Sequence, residues 1–142
     1  MKVFFDTNVY AAEAILGGAA EELVNATVRV RWRIYISEQI LEETRRVLVE
    51  KLGFSPRLGQ LSQARVRRRG RMIAVPASKH QVSQDPADSP ILKAAIACGA
   101  DLLVTNDRHL LSLTPYKSLR IASMSEYRRF LADEGHLPKT QP

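Results

Sequence analysis

Two short apolar runs, far apart in the chain, each stop on a carboxylate. Lys2-Val3-Phe4-Phe5 runs into Asp6-Thr7-Asn8, and Leu102-Leu103-Val104 runs into Thr105-Asn106-Asp107. Runs this short, apolar and β-prone read as buried parallel strands. In an open α/β sheet, ligands bind in the crevice beyond the carboxyl ends of the strands. Two strands that end this way bring negative charges to one rim. Like charges held together cost free energy, so such a rim calls for a metal or a proton.

The rest of the chain supplies the elements that such a sheet needs. Thr7 or Asn8 can cap a helix that runs to about Ile15 and is ended by Gly17-Gly18, and a second spans Ala19 to Arg31. Ile34-Tyr35-Ile36 predicts a strand, and Ser37 caps a helix from Glu38 to about Lys51. Pro56 permits a helix start, and a helix over Leu58 to Arg69 precedes a third strand, Met72 to Val75. Ala77 to Ser89 reads as a loop, and Pro90 suits the first position of a helix that Gly99 stops. Arg108 to Leu111 makes a helical turn. Leu119 to Ala122 is a fifth strand, and Ser123 with Glu126 forms a capping box for a helix through Leu131. Strands alternating with helices predict an α/β fold: a five-stranded parallel sheet with helices on both faces. At 142 residues this is one domain, residues 1–132, with a polar, flexible tail over 133–142.

Composition narrows the class. No apolar run approaches the ~20 residues of a membrane span, and the chain enters a strand without a secretion signal. Cys98 is the only cysteine, which excludes a disulfide framework within one chain and fits a reducing cytoplasm. The net charge is +6, which favours a polyanionic partner. Arg65, Arg67, Arg68, Arg69 and Arg71 are dense enough to grip phosphates, and Arg29, Arg31 and Arg33 form a second cluster. Solvated helix ends would read the same way. Trp32 and Tyr35 lie near the second cluster, where packing is the commoner role for such rings than base stacking.

Carboxylates recur at element boundaries: Asp6, Glu42 and Glu43, Asp85 and Asp88, Asp107. Each has a plain alternative. Asp6, Asp88 and Asp107 could cap helices, and the two glutamates could pair with Arg45 and Arg46 at helical spacing. Together they are poor for stability unless something offsets their repulsion. A hard divalent cation with oxygen ligands does so.

The segments Phe5-Asp6-Thr7-Asn8-Val9, Asp85-Pro86-Ala87-Asp88 and Leu103-Val104-Thr105-Asn106-Asp107 resemble the PIN domain, above all the VapC-like toxins of toxin–antitoxin pairs. The resemblance runs from Val3 to Leu131. It implies a three-layer α/β/α fold and a Mg²⁺- or Mn²⁺-dependent, single-strand-specific endoribonuclease that hydrolyses phosphodiesters with a metal-activated water. It places the catalytic and metal-holding acids at Asp6, Glu43, Asp88 and Asp107. Glu43 is taken over Glu42 because it lies six residues past Ser37, and Asp88 because it lies eleven before Gly99. Asn8, Thr105 and Asp85 would be supporting groups, and Asn106 has no assigned role. The resemblance further implies a cytoplasmic homodimer, a single-stranded RNA substrate and a cognate antitoxin protein.

Other Mg²⁺ sites fit less well. A dehalogenase-type phosphatase needs a second Asp at position 8, where Asn8 stands, and a receiver domain needs a Lys after the fifth strand, where Ser123 and Met124 stand. The alternative from another class is a catalytically weak or inactive PIN-fold module that binds RNA or protein.

Overall fold

Val3, Phe4 and Phe5 are all fully buried. Successive strand side chains point to opposite faces, so the strand they form is covered on both. That strand, β1 (Lys2–Phe5), is the middle of the sheet. The computed structural model describes residues 1–74 and 89–139. Within them, β2 (Arg33–Ile36), β3 (Arg71–Met72), β4 (Leu102–Val104) and β5 (Arg120–Ala122) complete one parallel sheet in the order β3-β2-β1-β4-β5. Helices α1 (Thr7–Leu16), α2 (Gly18–Arg29), α3 (Glu38–Arg46), α4 (Pro56–Arg69), α5 (Pro90–Ala97), α6 (Arg108–Leu111) and α7 (Met124–Asp133) cover it in a three-layer α/β/α arrangement.

The sheet order sets where a site can form. The chain builds outward from β1 through β2 to β3, then returns to lay β4 on the other side of β1. The crevice of an open sheet lies at that reversal, beyond the strand ends. Val3 pairs with Leu102, and Phe5 with Val104, so Asp6 and Thr105 leave the sheet side by side.

Local chemistry explains most element limits. Gly17 sits at φ 63, and its N–H closes α1 on the Glu13 carbonyl. A Cβ there would meet only the movable carboxylate end of Glu21, so it is the left-handed φ that makes this corner favour glycine. Ser55 caps α4 through the Leu58 N–H, and the helix begins at Pro56, the start that the proline permits. The expected helix from Glu38 to Lys51 changes character at Arg46. It continues as a π-helical turn, Val47–Lys51, with the Leu52 N–H reaching the Val47 carbonyl. This widened turn buries Leu48 and leaves Val47 facing a cleft. Strand β3 is shorter than expected, although the Ile73 N–H still bonds the Ile36 carbonyl. Val75 and residues 77–88 of the loop expected over 77–89 lie outside the described residues. Of the expected tail, Asp133 closes α7, and Leu137 is buried in the core. Trp32 packs on Phe130 and His136, with ring centres 6.0 and 5.4 Å apart.

Candidate active site

Asp6 takes up two roles that its sequence position left as rivals. Its N–H bonds the Val104 carbonyl at 3.0 Å, carrying the β1–β4 ladder one residue past the strand. Its Oδ1 accepts from the Thr7 N–H at 2.6 Å and so caps α1. Its Oδ2 accepts from Thr105 Oγ1 at 2.7 Å and from Asn8 Nδ2 at 3.3 Å. A helix cap uses one carboxylate oxygen, which leaves the other to the site.

Thr105 is the hub. It is fully buried at the end of β4. Its hydroxyl donates to Asp6 and accepts from Asn8 Nδ2 at 3.2 Å and from the Asp107 N–H at 3.0 Å. One donor and two acceptor positions are the full capacity of a hydroxyl. Asn8 Oδ1 accepts from the Asn106 N–H at 3.4 Å, which fixes the direction of that amide. The side chain of Asn106 accepts from the Met124 N–H and so ties β4 to the start of α7. That gives a structural part to a residue to which the sequence assigned none.

Asp107 caps α6 by accepting from the His109 N–H at 2.8 Å, and the side chain is exposed at the cleft. Glu43, on α3, reaches the same cleft while pairing with Arg46 at 2.6 Å. Glu42 does not line it. It is turned outward to Arg45, whose hydrogen bond holds its carboxyl below the ordinary range. Asp6, Glu43 and Asp107 therefore share one cavity of about 610 Å³. Asp85 and Asp88 lie outside the described residues.

Electrostatics tie the three acids together. Asp6 is only 6% exposed. Burial is the largest cause pushing its carboxyl above the ordinary range, the Thr105 and Thr7 bonds oppose this, and the charges of Asp107 and Glu43 add to it. The Thr7 hydroxyl, also buried, has no hydrogen-bond partner among the described residues. Among those residues, no three acidic, histidine or cysteine side chains converge tightly enough to enclose an ion. The donors present are all oxygens, and Asp6 would gain from a nearby positive charge. They fit a hard divalent cation that keeps much of its water, rather than a closed protein cage.

The rest of the cleft was not foreseen. Ala11, Ala12, Ile15 and Leu16 of α1 form an apolar wall with Val47, and Gln39 of α3 stands one turn before Glu43. None of the clustered arginines lines it. Arg69, expected among the RNA contacts, is held by an acid of the fold. Its guanidinium is bidentate on the buried Glu13, with Nη1 2.7 Å from Oε2. Arg65 lies 3.4 Å from Glu21, and Arg67 lies 3.9 Å from Glu38. Arg68 and Arg71 are exposed. Arg33 pairs in register with Lys2 at the start of the strands, so the second arginine cluster sits at the opposite end of the sheet from Asp6.

A family model described as PIN domain matches residues 2–109. The chain belongs to the PIN domain family. No curated protein and no solved structure matches it. PIN domains are generally nucleases, and nucleases of this family typically use divalent metals. Asp6, Thr105 and Asp107 of the candidate site lie inside the matched region. No helix among its described residues is long and apolar enough to cross a membrane.

Proposed function

We propose that this PIN domain is a divalent-cation-dependent, single-strand-specific endoribonuclease and the toxin of a toxin–antitoxin pair, acting in the cytoplasm as a homodimer. The observation that carries the nuclease reading is the convergence of Asp6, Glu43 and Asp107 on one cleft at the sheet reversal. Asp88 would be the fourth acid and Asp85 a supporting group. Exposed Leu58 and Leu61 on α4, at 50% and 54%, support burial against a second copy or an antitoxin.

Asp6, Asp107, Glu43 and Asp88 would hold Mg²⁺ or Mn²⁺. A bound divalent cation supplies Lewis acidity at the phosphate and lowers the pKa of water. The chain's own part is positional. Thr105 and Asn8 fix the rotamer of Asp6, so its Oδ2 cannot swing away. The Asp107 carboxylate is oriented by the His109 N–H. Phosphodiester hydrolysis there would leave a 5′-phosphate and a 3′-hydroxyl. Glu43 must exchange Arg46 for the site, or share it. Arg65, Arg67, Arg68 and Arg71 would meet the RNA backbone outside the cleft.

The Glu43–Arg46 pair is also the observation that favours a second reading, a weak or inactive module that binds RNA or protein. Labelled single-stranded RNA, with and without Mg²⁺ or Mn²⁺, separates the two. A nuclease cuts only with metal and loses cutting, but not binding, in Asp6→Asn. RNA bound but uncut under both metals sinks the nuclease reading.

A further inference from the structure

The cleft has two unlike halves, and only one is explained by phosphodiester chemistry. Asp6, Glu43 and Asp107 are among its lining residues. The exposed end of α1 also lines it, presenting Ile15 and Leu16, at 44% and 80% exposure, with Ala12 and Val47. Apolar side chains this exposed, continuous with an acidic centre, fit the faces of a nucleoside next to the phosphate held there. No aromatic ring lines the cleft among the described residues, so it offers no stacking platform. Base discrimination then falls to a polar group that can read a base edge.

Two carboxamides line the cleft, Asn8 and Gln39. Asn8 is committed at both ends, donating to Asp6 and Thr105 and accepting from Asn106. Gln39 makes no hydrogen bond among the described residues and is exposed. It lies four positions before Glu43 on α3, and residues at that spacing share a helix face. Its amide is therefore carried one helical turn from Glu43, on the same cleft. A carboxamide offers a donor and an acceptor side by side, the pattern that pairs in bidentate fashion with a base edge.

We propose that Gln39 sets the base preference of the cleavage site, reading the edge of the nucleoside adjacent to the scissile phosphate while Ile15 and Leu16 support its face. The inference rests on the nuclease reading for its substrate, and its test keeps the two apart. Full-length protein, Gln39→Ala and Leu16→Ala are each given a randomised single-stranded RNA pool with Mg²⁺ or Mn²⁺, and the cut ends are sequenced. The wild type should favour particular bases at one position beside the cut. Gln39→Ala should flatten that preference by about fivefold or more. Leu16→Ala should raise KM and keep the preference. An exposed helical Gln→Ala change does not threaten the fold, because alanine is the better helix former.

A Gln39→Ala profile that matches the wild type overturns the proposal. If no RNA is cut, the binding arm decides. Asp6→Asn and Asp6→Asn/Gln39→Ala are titrated with oligo-A, oligo-C, oligo-G and oligo-U. Ranked affinities that become even in the double variant support the role of Gln39 in a protein that does not cut. Equal rankings in both proteins overturn it, and the apolar wall is then left for a protein partner.

Discussion

A single hydroxyl holds the candidate site together. Thr105 joins Asp6, Asn8 and the Asp107 backbone from a fully buried position. Thr105→Val keeps the shape and deletes every one of those bonds. Chemical denaturation should show a loss of about 1–3 kcal/mol, because buried polar groups lose their partner, and RNA cleavage should fall with it. Thr105→Ser should keep both near wild type. Full stability in the valine variant would remove the hub role. Asp6 and Asp107 were legible in the sequence because each follows an apolar run, and their capping roles were legible too. Glu43 was preferred to Glu42 only through the family's spacing from Ser37, because the residues alone do not show which side of α3 faces the cleft. Asn106 was opaque because its partner, the Met124 N–H, lies on a different element.

At the scale of elements, buried polar pairs lock helices that the sequence placed only approximately. Glu13 on α1, with 3% of its side chain exposed, is bidentate with Arg69 at the end of α4. Glu13→Gln would leave a largely enclosed guanidinium, 13% exposed, short of its charge partner. The expected loss is about 3–5 kcal/mol, read as a lower midpoint in urea. Glu13→Leu with Arg69→Leu should recover much of it, since the unpaired charge is gone. The sequence placed the arginine run but not its partners, which are 56 positions away for Arg69. A second lock joins α2 to α7, where Thr27 and Tyr127 share a hydrogen bond of 2.5 Å. Burial pushes the Tyr127 phenol up to about 12, with the Thr27 bond opposing. The folded state therefore keeps that proton more tightly than the unfolded chain. This contribution to stability is whole below about pH 10 and is lost as pH rises toward 12. Urea unfolding at a series of alkaline pH values should show a steeper decline for the wild type than for Tyr127→Phe. Parallel slopes would refute the assignment.

For the whole molecule, the alternation of strand and helix was enough to give the parallel sheet, because each short apolar run was flanked by capping and breaking residues. The order β3-β2-β1-β4-β5 was not, since strand neighbours depend on long-range pairing. The charge map was half legible: the arginines stood out, but which of them face solvent did not. If Arg68 and Arg71 contact RNA phosphates, replacing both with alanine should flatten the log–log dependence of RNA binding on salt by about 1.4. An unchanged slope would place the RNA elsewhere. Since all strands run one way, Lys2, Arg33 and Arg120 gather at their starts, where they outnumber Asp101, and Asp6 lies beyond their ends. The sheet is thus electrically polarised along its strands, and a polyanion drifting toward it is turned to face the basic end first. Divalent ions would then work on landing and on cutting in opposite directions, shielding the first attraction while relieving the repulsion at the far end. Cleavage plotted against cation concentration should trace a hump rather than a plateau.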